Sequence, residues 1–421
     1  ECPIDLLYAE ALVRDWYVPK EKPGKKPGLT DRAMGWYLER HVERLFEAEG
    51  GATTPPPLAL PEVPLAPLVA QARRLIARAE RPVLLVGAQA MGKAGEAERL
   101  ASAVERLGIP TYLASSARGL LGRHHPLQAR HKRKEALRAA DLVILAGVPA
   151  DFRLDYGRAI AKRAKIIAVN LAVSALFKNR LPTLPVPADP GRFLVALADE
   201  APAEGRWSGW LEELRARDLE RDREIAAMSK EAVAPIHPLA LCLGLERAMS
   251  DDAVIVADGG DFVASAAYVV RPRGPLSWLD PGAFGTLGVG GGFAAAAAAA
   301  RPGREVWLLW GDGAAGFSLM EFDTFARHGL PVIAVVGNDA GWTQIARDQV
   351  PILGDAVGTG LARTDYHRVA QGLGAEGLLL DRPERIDEVL AEAKALAARG
   401  RPVLVNAHLG VSEFRKGSIS M

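Results

Sequence analysis

The sequence predicts an α/β protein made of two doubly wound parallel-sheet, Rossmann-like domains. Three observations predict it. Short apolar runs alternate with helix-length segments in two separate series; the runs are nearly continuous in apolar residues, as in a sheet covered on both faces; and a charged stretch divides the series. With 421 residues, 49% of them hydrophobic, the chain is long enough for two or three cores.

Residues 1 to 66 come first. "ECPIDLLY" reads as the end of a strand leaving a preceding domain, which makes the chain the remainder of a longer one. Leu38, His41, Val42, Leu45 and Phe46 then fall at helical spacing. "GGATTPPPLALPEVPLAP" (50 to 67) is too rich in proline for a helix or a central strand and reads as a linker. The first α/β series occupies 67 to 202, with strands expected at "PVLLVG", "IPTYLA", "DLVILAG" and "AKIIAVN". The charged stretch at 203 to 234 predicts an exposed helical connector. The second series runs from 235 to 421, with strands at "AVIVADGGD", "EVWLLWGDG", "LPVIAVVGND" and "RPVLVNAHL". Helices are expected over 316 to 328, over 384 to 398 and at the alanine run "FAAAAAAARPG" (293 to 303), whose small side chains permit close packing.

Bulk properties narrow the function classes. Lys+Arg of 52 against Asp+Glu of 51 leaves a net charge of +1, without the global field of a nucleic-acid binder. No apolar run reaches the roughly 18 residues that span a bilayer, and no secretory signal is evident. Cys2 and Cys242 supply neither a disulfide framework nor a zinc cluster, which suits a reducing cytoplasm.

The chemistry concentrates at "LLWGDGAAGF" (308 to 317). Ligands of open parallel sheets sit beyond the carboxyl ends of the strands. Asp312 stands at such an end, and so does Asn338 after the strand "LPVIAVVG". The 24 residues from 314 to 337 hold one helix and one return strand, which makes the two strands neighbours. An anionic oxygen and an amide oxygen side by side suit Mg²⁺ or Ca²⁺. The small residues at 311 to 316 let a phosphate approach the backbone, toward a helix expected to open near Gly316. Metal plus diphosphate is the local expectation; the alternative is a turn in which Asp312 merely caps a helix.

"GDG", 24 residues and "ND" together resemble the signature of thiamine-diphosphate-dependent enzymes. The similarity extends to "GAFGTLGVGGGFAAAAAA" (282 to 299), "SSARGLLGRHHPL" (115 to 127) and "GVPADFRLDYG" (147 to 157), the last two resembling central-domain segments of the acetolactate-synthase-like branch. The resemblance implies a thiamine-diphosphate-binding fold for the C-terminal domain and assigns roles. Asp312 and Asn338 would bind Mg²⁺ through their side chains, with the carbonyl of Ala340 as third ligand. Backbone groups of Gly311, Gly313, Ala314 and Ala315 would hold the diphosphate, helped by Gly260 and Asp261. The carbonyl of Gly285 would accept from the cofactor's 4′-amino group, and Leu287 would wedge between its two rings. The glutamate that activates the cofactor in this family would precede Glu1, so the chain would carry the diphosphate half of a site completed between subunits of a homodimer or homotetramer, and alone would be inactive.

"NDAGWTQIARDQ" (338 to 349) looks closer to the 2-hydroxyacyl-CoA lyase-like proteins than to acetolactate synthases proper. Trp342, Thr343, Gln344 and Ile345 would then face the reacting carbon, with Trp342 equally readable as plain core. The substrate would be a 2-hydroxyacyl-CoA or a 2-keto acid. FAD or ADP is the weaker expectation for the central domain, because "LLVGAQAMG" is poor in glycine and Asn170 and Ala172 stand where relatives carry acids. The basic run "GRHHPLQARHKRK" (122 to 134) reads as a solvated face or as a contact for coenzyme A phosphates. His237, His328, His367 and His408 show no metal spacing. A non-catalytic cofactor-binding fragment and a nicotinamide-dependent oxidoreductase are the rivals from other classes.

Overall fold

The structure, a computed structural model, describes residues 9–18, 28–47, 64–199 and 205–416. The expected strand "ECPIDLLY" and most of the proline-rich linker lie outside the described residues. Two compact units result, Glu1–Ala59 and Leu60–Met421. In the first, α1 (Glu10–Tyr17) and α2 (Leu29–Phe46) bury Val13, Val42 and Phe46 together, two of which come from the expected helical stripe.

The second unit opens with α3 (Leu65–Ile76), which begins inside the expected linker. Pro67 is tolerated there because first-turn amides have no helical acceptor to lose. Next come β1 (Pro82–Val86), α4 (Ala97–Leu107), β2 (Thr111–Leu113), α5 (Arg133–Ala139), β3 (Leu142–Ala146), β4 (Lys165–Val169), α6 (Val173–Leu176), β5 (Leu184–Val186) and α7 (Pro190–Ala198). The strands form a parallel sheet in the order β2-β1-β3-β4-β5. All four expected strands are present. Strand β5 is an addition, too short to give a periodic signal and carrying Pro185, which an edge strand accepts.

The charged stretch forms α8 (Ser208–Met228), and it is not simply exposed. Trp207 and Trp210 are buried, and their indole N–H groups donate to the carbonyls of Ala79 and Pro82, both at 3.0 Å. Two aromatic anchors outweigh the helix's overall polarity and fasten it to β1.

The second sheet follows from α9 (Pro238–Ala248), β6 (Val254–Ala257), α10 (Asp261–Val269), β7 (Trp278–Leu279), α11 (Gly290–Ala300), β8 (Val306–Gly311), α12 (Asp312–Ser318), α13 (Glu321–His328), β9 (Val332–Asn338), α14 (Thr343–Leu353), α15 (Tyr366–Gly372), β10 (Glu376–Leu380), α16 (Ile386–Ala397) and β11 (Val403–His408). Its order is β10-β11-β9-β8-β6-β7. The crossover between β8 and β9 makes them parallel neighbours, with Gly311 paired to Gly337. Trp307 and Leu309 fill the core on one face, Leu308 and Trp310 the core on the other. That alternation is what a sheet covered on both sides requires. The helix expected over 316 to 328 is instead two, α12 and α13. The first begins at Asp312 rather than Gly316, because an aspartate in the first turn complements the helix dipole and Ala314 and Ala315 favour helix.

Candidate active site

The order of the second sheet reverses between β6 and β8, and a cleft opens there beyond the strand ends. Two glycines make it. A Cβ on Gly260 would lie 2.9 Å from the Cα of Gly311, and Gly260 has a φ of 116° that only glycine adopts freely. The N–H of Gly311 donates to the carbonyl of Gly259 at 2.8 Å, holding the two strand ends in this close approach.

The cleft measures about 350 Å³. Gly260, Asp261, Gly285, Leu287, Gly311, Asp312, Gly313 and Ala314 line it, and so do Trp342, Thr343, Gln344 and Ile345 from the start of α14. Three of the expected residues lie outside that lining. Ala315 is packed in the core, Asn338 is fully buried at the end of β9, and Ala340 sits in the turn that follows.

Asp312 and Asn338 nonetheless converge. One carboxylate oxygen of Asp312 accepts from the N–H of Gly313 at 2.8 Å, the other from the N–H of Gly341 at 3.1 Å. The Oδ1 of Asn338 accepts from the N–H of Ala340 at 3.3 Å. Both oxygens therefore face the turn 340–341, as two ligands of one cation would. Ala340 holds a φ of 59°, and its carbonyl accepts from Leu361 at 2.9 Å, leaving one lone pair for a metal. The Gly313 amide is committed to Asp312, so it is less available to a diphosphate than its position in the loop implied.

The orientation of the Asn338 amide is fixed from behind. Its Nδ2 donates to the carbonyl of Thr364 and to Oδ1 of Asn406, each at 3.1 Å, while Nδ2 of Asn406 donates to the same Thr364 carbonyl at 3.0 Å. A carbonyl only accepts, so both amides must present nitrogen to Thr364. The oxygen of Asn338 is thereby directed toward the turn 340–341. Asn406 lies on β11 and carried no signal in the sequence. Replacing it with leucine removes the acceptor and is expected to lower metal-dependent cofactor affinity by about 10- to 100-fold, the usual effect of losing a group that orients a ligand. Calorimetry on Asn406→Leu checks this; affinity equal to the wild type would show that Asn338 needs no such support.

Electrostatics favour a cation here. Burial pushes the carboxyl of Asp312 above the ordinary carboxylate range, opposed by its backbone donors. Asp339 rises to about 6, mainly through burial, with the charges of Asp312 and Asp261 adding to it. A folded-state value above the unfolded one means that the folded protein holds the proton longer, so ionisation between the unfolded range and about 6 costs stability. The stabilisation given by Mg²⁺ is therefore expected to be larger at about pH 7.5 than at about pH 5, and Asp339→Asn to flatten the difference. Thermal denaturation at both pH values checks it, and equal metal-induced shifts would contradict it.

Asp261, expected to help hold the diphosphate, has a different partner. Its carboxylate forms a two-pronged ion pair with Arg347 of α14, at 2.6 and 2.7 Å. Only its backbone remains for a phosphate. Asp258, which the sequence did not single out, is buried and accepts from the N–H groups of Gly288 and Gly290 and from the indole of Trp310. It fastens the segment carrying Gly285 and Leu287 to β6. Leu287 packs so closely on Gly259 that a Cβ there would lie 2.1 Å from its Cδ2. Trp342 lies over the metal loop, its ring 2.5 Å from where a Cβ on Gly313 would stand. The indole is half-buried, lining the cleft while covering the loop.

Two arginines of the basic run, Arg123 and Arg130, tie the central domain to the C-terminal one, and its lysines pair closer to home. Arg123 pairs with Glu246 and Asp251, Lys132 with Glu220, and Lys134 with Asp155, while Arg130 donates to the carbonyls of Tyr268 and Val269. Most of these groups are thus engaged within the chain, which favours the structural reading of the run. In the central domain the reversal falls between β1 and β3, where Gly87 and Gly147 are already in close contact with Val148 and Gln89. His237 accepts from the N–H of Leu239 and caps α9.

Residues 258–407 match the family described as "Thiamine pyrophosphate enzyme, C-terminal TPP binding domain", and residues 69–197 match "Thiamine pyrophosphate enzyme, central domain". The chain is 46% identical over 433 residues to 2-hydroxyacyl-CoA lyase 2 of Bos taurus, covering 100% of this chain and 67% of the relative. Identity to the Homo sapiens protein of that name is 45% over 430 residues, with the same coverage of both chains. A probable acetolactate synthase of Mycobacterium bovis is more distant, at 35% over 357 residues, covering 83% of this chain and 64% of the relative.

Proposed function

The chain belongs to the thiamine pyrophosphate enzyme family, and from that premise we propose that it serves a Mg²⁺-dependent lyase that cleaves a carbon–carbon bond beside the carbonyl of a 2-hydroxyacyl-CoA. The observation that carries this reading is the 46% identity to 2-hydroxyacyl-CoA lyase 2 along the whole chain. Carboligation of 2-keto acids is the second reading, favoured by the more distant similarity to acetolactate synthases.

The donor set supports thiamine diphosphate with Mg²⁺. Two buried oxygens face one turn, carboxylates are held above their ordinary range by burial, and paired glycines leave a cradle that any Cβ would fill. Asp312, Asn338 and the Ala340 carbonyl would hold the metal. The backbone at Gly260, Gly311, Gly313, Ala314 and Ala315 would hold the diphosphate. Thiamine diphosphate supplies, when bound, a nucleophilic carbon and a sink for the electron pair released on bond cleavage. The Gly285 carbonyl would accept from the 4′-amino group, and Leu287, an apolar support, would keep the rings bent without competing for a proton. Trp342 would cover the metal loop against water, and Gln344 would hydrogen-bond the substrate.

Among the described residues that line the cleft there are five aspartates and no glutamate. This supports an activating glutamate contributed from outside these residues, and hence little turnover by the chain alone. Phe284 and Phe317 stand exposed beside the cleft segments, which supports a homo-oligomer. Cys242 is buried and free, compatible with the cytoplasmic location we propose. Among the described residues no helix is long and apolar enough to cross a membrane.

Product analysis on the holoenzyme, offered a 2-hydroxyacyl-CoA and separately pyruvate, tests the reading. Release of the aldehyde one carbon shorter than the acyl group, together with the coenzyme carrying the remaining carbon as a formyl thioester, is the expected result. Consumption of pyruvate alone would favour carboligation, and consumption of neither would overturn both.

A further inference from the structure

The cleft carries one cation among the described residues that line it, Arg118, contributed by the central domain. Its surroundings leave it incompletely paired. Nη1 donates to the carbonyl of Ala267 at 2.7 Å, and the guanidinium lies over the ring of Trp278, 5.1 Å from the centroid. Its Nε is sealed from solvent and has no hydrogen-bond partner. The nearby carboxylate of Asp280 is already occupied: it accepts from Ser115 Oγ at 2.8 Å, from the N–H of Gly282 at 2.9 Å and from the indole of Trp278 at 2.8 Å.

A buried cation without an ionic partner is costly to maintain, and so is a buried donor left unmade. Elsewhere the structure meets such charges directly, as Arg273 with Glu246 or Arg347 with Asp261. Arg118, half-buried, stands in the wall of a cleft with the Asp280 carboxylate near but not hydrogen-bonded to it. Burial also depresses its basicity, opposed mainly by the charge of Asp280.

Position indicates which part of a ligand would reach it. Trp278 lies on β7, two strands from β8 and three from β9. At the usual spacing between strands this is about 10 to 15 Å from the ends that carry Asp312 and Asn338. The diphosphate end is thus served by the metal loop, and Arg118 stands at the opposite end of the cleft.

We propose that Arg118 is a specificity-determining residue that receives the oxygen atoms of the substrate's acyl or carboxylate group. The inference rests on the proposed function and adds the group that selects the substrate. The loop 115–119 is well placed for it. Gly119, with a φ of 85°, packs so tightly on the Gly274 carbonyl that a Cβ would lie 2.4 Å away, which fixes the loop against the C-terminal domain.

Arg118→Met and Arg118→Lys in the holoenzyme test it, with kinetics on both substrate types and calorimetric titration of thiamine diphosphate with Mg²⁺. The methionine variant is expected to raise KM by at least about tenfold while cofactor affinity stays within about twofold, and lysine to restore part of the loss. An unchanged KM, or a cofactor affinity that falls in step with it, would overturn the proposal, the second outcome showing a structural role. Calorimetric titration of pyruvate and of a 2-hydroxyacyl-CoA into the same proteins separates this from failure of the reaction itself. Arg118-dependent binding without turnover would discard the proposed reaction and keep Arg118; no binding to the wild type would discard both.

Discussion

Asp312→Ala is expected to abolish the Mg²⁺-dependent binding of thiamine diphosphate proposed above while leaving the fold intact. The carboxylate is buried at the end of β8, with one oxygen on the Gly313 amide and the other on the Gly341 amide, in the turn where Asn338 also points. Its loss removes an anionic ligand outright, an effect expected to exceed the roughly 10- to 100-fold cost of losing an orienting group. Stability without cofactor should change little, because relief of a buried carboxyl held above its ordinary range is offset by the loss of the acceptor for the Gly313 and Gly341 amides. A Tm shift on adding Mg²⁺ and thiamine diphosphate is the readout: large for the wild type, near zero for the variant. An equal shift in both would remove Asp312 from the site.

Asp258→Ala is expected to destabilise the C-terminal domain by about 3 kcal/mol or more, the cost of leaving buried donors without an acceptor. Gly288, Gly290 and Trp310 all donate to this one carboxylate, at 3.1, 2.8 and 3.1 Å. No other described acceptor is in place to take over, and the segment carrying Leu287 loses its tie to β6. Chemical denaturation gives the free energy, with the domain's buried tryptophans as reporters. Asp258→Asn should lie between the wild type and alanine, since it keeps one acceptor oxygen but turns a donor toward other donors. A change below about 1 kcal/mol in the alanine variant would contradict this account of the loop.

The parts legible in the sequence share a property: their partners are near in the chain or repeated by a regular period. The strands "LVILA" and "VWLLWG" announce themselves as apolar runs, and Asp312 and Asn338 are joined by one crossover of predictable length. What escaped reading depends on contacts between distant segments. Asn406 orients Asn338 from 68 residues away, and Arg118 finds Ala267 at a separation of 149. No pattern of composition or spacing encodes such pairings. Asp261 illustrates the limit from the other side, since its place beside the cleft was legible but its ion pair with Arg347, 86 residues on, was not. The charged helix α8 was read from its majority of polar residues, while Trp207 and Trp210 decide how it sits. The start of α12 was read from its glycines, although the aspartate before them sets it.

The most direct test of the site is calorimetric titration of thiamine diphosphate, with and without Mg²⁺, into the wild-type protein and into Asn338→Ala. Asn338 is neutral, fully buried and directed toward the turn 340–341 by Thr364 and Asn406, so its removal would delete the proposed oxygen ligand without altering the charge of the cleft. The account predicts binding to the wild type only when Mg²⁺ is present, and its loss in the variant. Equal heats for the two proteins, or binding indifferent to Mg²⁺, would contradict it.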